Sequence, residues 1–218
     1  MLKKTTLEFL NSLKKNNKKE WFENNKQSFE NAKLDFENFI SELFYQLAKT
    51  NKDLIGVDPK KCIFRIYRDA RFSKNKEPYK TNFGAAISES GKSMETALFY
   101  IHIEPGDNSF IAGGRYMPDA SSLKKIREKI IENPKEFKKI ISEKKFKSLF
   151  PALSDLKVKT LPRGYSKDHP EIELLKFTSY IVEKKIEDKL IVSNDFSKLC
   201  ADAYKSMFPF IRFLNNNQ

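Results

Sequence analysis

Apolar residues along the first fifty positions recur every three to four residues, which is the spacing of one face of an α-helix. The first part of this pattern consists of three leucines, Leu7, Leu10 and Leu13. Thr5 and Glu8 form a capping box before them, and Asn16 and Asn17 end the predicted first helix. From Asn17 to about residue 49 we expect a long amphipathic helix. Its apolar stripe is largely aromatic: Phe22, Phe29, Phe36, Phe39, Ile40, Leu43 and Leu47.

The aromatic stripe of this long helix is open to three interpretations. Its heptad spacing suits a coiled coil, but rings at most positions favour packing on a sheet over insertion into the narrow holes of a coiled coil. We therefore expect the stripe to belong to the buried core. An exposed stripe would instead indicate a protein-interaction module.

Alternation of apolar and polar residues predicts β-strands in the middle of the chain. Residues 61–67, 82–89 and 96–104 each show this period of two. The sequence Pro-Gly-Asp-Asn at 105–108 is a strong turn signal, so residues 109–113 should return antiparallel to the third strand.

The predicted strands have two unlike faces because successive side chains point to opposite sides. One face would be apolar and carries Phe64, Ile66, Phe99, Ile101 and Ile103. The other would be polar and carries Arg65, Tyr67, Tyr100, His102 and Glu104. We expect helices to cover the apolar face.

The second half of the chain is predicted to be mainly helical. One helix follows Pro118 and Asp119, and Asn133 with Pro134 ends it and begins the next. The remaining predictions, in chain order, are an irregular stretch at 144–168, a short helix at 170–176, a strand at 177–184, and a helix after Asp195 with a kink at Pro209.

No low-complexity linker divides the chain, so residues 1–218 are predicted to form a single α+β domain. Its sheet should be mainly antiparallel, with one face packed by the long N-terminal helix and the C-terminal helices. A hydrophobic content of 39%, with 19 phenylalanines, is enough to build a substantial core.

Composition narrows the class of protein. Cys62 and Cys200 lie far apart, which excludes a disulfide framework or a cysteine-based zinc site and favours a reducing, cytoplasmic setting. No signal peptide or membrane-spanning stretch is evident, so no membrane partner is expected. Walker and dinucleotide-binding glycine motifs are missing, and no cofactor is indicated. The oligomeric state is left open.

The net charge of +12 is concentrated in one segment. Between Lys60 and Lys80, eight Lys and Arg residues face two acids, which gives +6, half of the total. Three of the seven arginines lie here, at Arg65, Arg68 and Arg71. Aromatic residues interleave with these cations. Clustered guanidinium groups indicate recognition of phosphate or carboxylate, and the alternative is a structural Arg–Asp network centred on Asp69.

Four segments of the chain carry a family resemblance. They are residues 64–84 (FRIYRDARFSKNKEPYKTNFG), the opening from Phe9 to Lys26, Gly113-Gly-Arg-Tyr-Met-Pro118, and Leu161-Pro-Arg-Gly-Tyr165 with Asp168-His-Pro170. Across nearly the whole chain, and in the same order as in that family, these segments resemble the domain of unknown function 2461 family. The resemblance implies a single domain, and it implies no reaction, cofactor or catalytic residue.

Two pairs of residues are candidates for acid–base chemistry. His102 and Glu104 are two residues apart on one strand face, where both side chains can reach a common proton or ion. Asp168 and His169 form the second pair, because a neighbouring carboxylate can raise the pKa of a histidine. Each has an ordinary structural alternative: hydrogen-bonded packing for His102, and a helix start with Asp168 as its cap. Two histidines exclude a multi-histidine metal site and leave a carboxylate-rich one as an alternative, and no metal site is predicted.

The leading functional hypothesis is a basic cleft on the polar sheet face that binds a small phosphate- or carboxylate-bearing ligand, with catalysis left open. The candidate ligand-binding residues are Arg65, Tyr67, Arg68, Asp69, Arg71, Lys80, Tyr100, Arg115 and Arg163. The first alternative is nucleic-acid binding, with segment 60–80 on backbone phosphates and its aromatic rings stacked on bases. The second is the protein-interaction module described above.

Overall fold

The structure is a computed structural model that describes residues 1–69 and 76–215. Within these ranges the chain forms helices and a four-stranded antiparallel sheet, which confirms the α+β class. The helices are α1 (Lys4–Lys15), α2 (Lys19–Asn24), α3 (Lys26–Leu47), α4 (Ala120–Glu132), α5 (Pro134–Ser142), α6 (Lys144–Leu149), α7 (Ile172–Leu175), α8 (Asp188–Ile191) and α9 (Phe196–Asn215). The strands are β1 (Phe83–Ile87), β2 (Leu98–Ile103), β3 (Ser109–Arg115) and β4 (Tyr180–Ile186), hydrogen-bonded in that order.

The N-terminal helices are confirmed, with two corrections. The residue before α1 is Lys3, which makes no side-chain cap, so the Thr5–Glu8 capping box was wrong. The long helix is broken at Asn25 into α2 and α3, where the Asn25 amide donates to the carbonyl of Trp21 at 2.8 Å and competes with the helical ladder. The aromatic stripe is buried along its whole length, as expected.

The strand predicted for residues 61–67 was wrong. Pro59–Cys62 forms a short 3₁₀ helix, which Asp58 caps by accepting from the amide of Lys60 at 2.9 Å. The chain then runs extended, but it pairs only through isolated antiparallel bridges of Ile63 with Ala85 and of Tyr67 with Tyr79. Without a continuous ladder, the strict alternation of faces is lost.

The hairpin between β2 and β3 is confirmed, and hydrogen bonds to Asp188, which lies outside the hairpin, hold its turn. Gly106 and Asp107 have φ values of 88° and 58°, in the left-handed region that suits a tight turn. Their backbone amides donate to the carboxylate of Asp188 at the start of α8, at 2.8 and 3.2 Å. In return, Asp107 accepts from the amide of Asp188 at 2.8 Å.

The second half follows the prediction except in details. Helix α6 lies within the stretch expected to be irregular, because Glu143 accepts from the amide of Phe146 at 2.7 Å and the Phe146 ring is buried. The short helix begins at Ile172. Strand β4 begins at Tyr180 because Phe177 instead forms an isolated bridge with Lys157.

The chain divides into two compact units built from interleaved segments. Unit 1 comprises residues 1–92, 100–111 and 185–202, and unit 2 comprises 93–99, 112–184 and 203–218. In unit 1, Phe36 stacks on Phe83 of β1 with ring centroids 5.3 Å apart. In the same unit, Phe39 stacks on Phe196 at 4.9 Å, so α3 covers the apolar side of the sheet there. The single-domain assignment stays a prediction.

Unit 2 has its own aromatic core, in which α5, α6, β4 and α9 meet. Phe137, Phe146 and Phe210 form its centre. Gly113 and Gly114 of β3 permit close approach: a side chain at Gly113 would strike Met207, and one at Gly114 would strike the Tyr180 carbonyl. No helix among residues 1–69 and 76–215 is long and apolar enough to cross a membrane.

Candidate functional site

Four cations of unit 1 form one group, which we call the basic patch: Arg65, Arg68, Lys80 and Lys92. The backbone amide of Arg68 donates to the carbonyl of Pro78 at 2.9 Å, and the amide of Lys80 donates to the carbonyl of Ile66 at 2.8 Å. These two hydrogen bonds join the stretch that carries the arginines to the stretch that carries Lys80. Burial lowers the pKa of Lys80, and the positive charges of the other three cations lower it further. The ammonium group therefore lies where an additional anion would be favourable.

Arg68 is held firmly at the edge of the basic patch. Its Nη2 donates to the carbonyl of Tyr79 at 3.3 Å and lies 4.0 Å from the Glu77 carboxylate. Its buried Nε has no hydrogen-bond partner among the residues that the structure describes. The side chain is 26% exposed, so the charge of its guanidinium, rather than the buried Nε, is available to an incoming anion.

Tyr79 is fixed in turn by the loop between α1 and α2. The Asn17 side chain donates to the Tyr79 carbonyl at 3.0 Å and accepts from the Tyr79 amide at 3.1 Å, as a neighbouring strand would. The Tyr79 ring stacks on Phe22 at 4.0 Å, and Tyr67 packs against both rings. The N-terminal part of the chain therefore positions the segment that contains Arg68, Tyr79 and Lys80.

A second group of unit 1, which we call the polar row, consists of Asn82, Tyr100, His102 and Glu104. Nδ1 of His102 lies 3.3 Å from both the Tyr100 hydroxyl and the Asn82 amide nitrogen. Nε2 of His102 lies 3.1 Å from Oε2 of Glu104. The imidazole also stacks on Phe110 at 4.6 Å. Both ring nitrogens of His102 are thus engaged within the protein.

Opposing effects set the charge states in the polar row. Burial raises the pKa of Glu104, but hydrogen bonds from His102, Lys14 and Thr81 outweigh it, and the pKa is lowered overall. Burial raises the pKa of Tyr100 to about 12, so its phenol is neutral at physiological pH. An ionised Glu104 favours a proton on Nε2 and leaves Nδ1 as an acceptor.

Phe64 connects the basic patch to the polar row. Its ring lies 5.3 Å from the Lys80 ammonium and 6.2 Å from the Tyr100 ring, which it meets edge-on. Phe64 therefore lies with Tyr100 and away from the apolar face, which corrects the predicted alternation. Gly84 lets the Tyr100 hydroxyl come close to the backbone of β1, since a Cβ on Gly84 would lie 2.7 Å from that oxygen. The resulting surface is partly exposed and combines cations, neutral donors and aromatic rings.

The structure brings together only part of the predicted site. Arg65, Tyr67, Arg68, Lys80, Tyr100, His102 and Glu104 all belong to unit 1. Arg65 is exposed and Tyr67 is 48% exposed. Asp69 is exposed, and Arg71 lies outside the described residues.

Four other predicted residues belong to unit 2: Arg115, Arg163, Asp168 and His169. The buried guanidinium of Arg115 donates to the carbonyl of Met94 and lies 4.0 Å from Asp119, so its hydrogen-bonding groups are used within that unit. Nδ1 of His169 accepts from the amide of Glu171 at 3.1 Å. Arg163 and Asp168 are exposed.

Sequence reasoning missed several residues of the surface in unit 1. Asn82 could have been found, because it is two residues before Gly84 and so shares its side of the strand. Lys14 and Lys92 carry no such signal, since their contacts join distant parts of the chain. No group of three metal-ligating side chains converges within residues 1–69 and 76–215.

The fold and this surface define an α+β protein with a basic, aromatic and partly exposed sheet face. Residues 5–213 match the family described as conserved hypothetical protein (DUF2461), and the chain belongs to that family. No curated protein and no solved structure matches the chain significantly.

Proposed function

We propose that unit 1 binds a small phosphate- or carboxylate-bearing ligand where the basic patch meets the polar row. The proposal is carried by the grouping of four cations around the partly buried Lys80, next to neutral hydrogen-bond donors. Repulsion among neighbouring cations is unfavourable in the free protein, and a bound anion would relieve it. The fixed and partly exposed guanidinium of Arg68 supports the same conclusion.

A small ligand fits these contacts better than a long polyanion. Lys80 and Tyr100 both lie against Phe64, so a cation and a neutral donor are brought near each other. Contacts to a nucleic-acid backbone would instead require a series of cations along an extended track.

The test is a thermal-shift and calorimetric screen with inorganic phosphate, sulfate, acetate and citrate. Replacement of Lys80 or Arg65 by Met should weaken binding of the best of these probes roughly tenfold or more, since hydrogen bonds to charged groups are among the stronger ones. Arg212, an exposed arginine on α9, provides a matched control as Arg212→Met. Equal affinity of all three variants and the wild type would overturn the proposal.

Nucleic-acid binding is the second candidate, and it is supported by one observation. Tyr67 is 48% exposed and lies between Arg65 and Arg68, which suits stacking on a base beside backbone phosphates. Fluorescence anisotropy with a single-stranded oligonucleotide would then show affinity that falls steeply with salt and weakens with Tyr67→Ala. A flat response to salt would remove this candidate.

The alternative of a protein-interaction module needs an exposed aromatic stripe on α3. Phe29, Phe36, Phe39 and Leu43 are all buried, with at most 6% exposure, so this stripe is not available to a partner. We do not propose that function.

A further inference from the structure

The polar row contains one more hydrogen-bond donor than its central acceptor can use. In the neutral tautomer of His102 that donates from Nε2 to Glu104, Nδ1 has a single lone pair and accepts. The Tyr100 hydroxyl and the Asn82 amide both lie 3.3 Å from this single acceptor. When one of them donates to Nδ1, the other is left with a donor to offer elsewhere.

The two donors differ in what they could reach. The Tyr100 ring lies against Phe64, and the Phe64 ring lies 5.3 Å from the Lys80 ammonium, so Phe64 connects the phenol to the basic patch. Gly84 lets the Tyr100 hydroxyl group pack closely against the backbone of β1. The Asn82 amide nitrogen lies 3.3 Å from Nδ1 of His102 and can donate to it in place of the phenol.

We propose that the Tyr100 hydroxyl donates a hydrogen bond to an oxyanion bound at the basic patch, and that Asn82 replaces it as the donor to His102 on binding. This inference rests on the proposed function and adds to it the specificity-determining donor. Glu104 and His102 are positioning residues here: Glu104 fixes the tautomer, and His102 holds whichever donor the ligand does not use. No proton is transferred, because each hydrogen stays on its own heavy atom.

Three features keep the free-energy cost of this exchange of donors low. Asn82 is already within reach of Nδ1, so its side chain needs little reorientation. The phenol is neutral, with its pKa raised by burial, and keeps its hydrogen to donate. Stacking on Phe110 holds the imidazole in place throughout. The ligand class that follows is an oxyanion that accepts from both a cation and a neutral hydroxyl.

The first test is calorimetric titration with sulfate, which stays a dianion through the pH range in which histidine titrates, about 5 to 8. Tyr100→Phe should bind sulfate roughly 10- to 100-fold more weakly than the wild type, the expected loss for a hydrogen bond to a charged group. Tyr45→Phe, on a 72% exposed tyrosine of α3, is the matched control and should bind as the wild type does.

The second test separates the exchange of donors from a merely structural role. In Asn82→Ala, Tyr100 is the remaining donor to Nδ1, so sulfate affinity should fall near neutral pH. In that background Tyr100→Phe should cost less sulfate affinity than it costs in the wild type, because the phenol is already committed to Nδ1, whereas independent structural effects would add. The charged and titratable groups around His102 in these comparisons are Glu104, Tyr100 and, through Glu104, Lys14.

Nitrogen-15 spectra of the His102 imidazole show which ring nitrogen carries the proton. The proton of His102 should stay on Nε2 in the free and sulfate-bound wild type and in Tyr100→Phe. If Tyr100→Phe binds sulfate as tightly as the wild type while Lys80→Met does not, the donor assignment fails and the proposed function stands. If neither variant changes binding, or if the wild type binds no oxyanion, both fail. A proton on Nδ1 in the free protein would also overturn the assignment.

Discussion

At Gly84, the missing side chain determines where the Tyr100 hydroxyl can lie. A methyl group there would lie 2.7 Å from that oxygen and 3.3 Å from the ring carbon that bears it. Gly84→Ala should therefore destabilise the protein by about 1–3 kcal/mol, the usual range for overpacking. Urea unfolding of the single and double variants measures the effect.

The double variant is the control for this urea-unfolding measurement. In Gly84→Ala combined with Tyr100→Phe, the crowded oxygen is gone, so the double variant should be more stable than the sum of the two single losses predicts. Strict additivity would mean that the hydroxyl is not what the added methyl meets.

Glu104 makes the stability of the fold sensitive to acid. Its pKa in the folded protein lies below its ordinary value of 4.5, so its stabilising contribution is present above that pH and is lost as the pH falls through the lower value. Glu104→Gln should lose less stability between about pH 6 and pH 3 than the wild type does. Thermal unfolding across this range tests it, with the exposed Glu183→Gln as the control. Parallel curves for all three proteins would contradict the assignment.

At the scale of elements, the side chain of Asn17 joins the loop between α1 and α2 to the segment that contains Tyr79 and Lys80. Asn17 makes two hydrogen bonds with the backbone of Tyr79, and the free energy of unfolding should fall by about 1–3 kcal/mol in Asn17→Ala because a partly buried backbone pair loses its partner. The side chain of its exposed neighbour Asn16 donates to the Ser12 carbonyl of α1, so Asn16→Ala should stay within about 0.5 kcal/mol of the wild type. Similar losses in both variants would contradict this role.

Sequence patterning predicted the elements whose signals are local. The Asn133–Pro134 boundary between α4 and α5 and the turn between β2 and β3 both follow from residues at the boundary itself. The extended segment after Cys62 was misread because its alternation is real but its pairing is limited to isolated bridges. The break at Asn25 was missed because the aromatic spacing continues through it.

For the whole molecule, half of the net charge of +12 lies between Lys60 and Lys80, and the ligand-binding role of that segment stays a prediction. The sequence singled out Arg65, Arg68 and Lys80 through local clustering, and the positive charges of both arginines act on Lys80. It did not identify Lys92, Asn82 or Lys14, since contacts between distant segments leave no local pattern. Arg115 and Arg163 have the same residue chemistry but belong to unit 2.

The central claim is that unit 1 binds an oxyanion between the basic patch and the polar row. Titration of nitrogen-15-labelled protein with inorganic phosphate, followed by amide chemical shifts, tests it most directly. The account predicts saturable shifts concentrated at Lys80 to Gly84 and Tyr100 to Glu104, with little change in the lysine-rich helix α5. Shifts that are strongest in α5, or that increase everywhere without saturation, would contradict it.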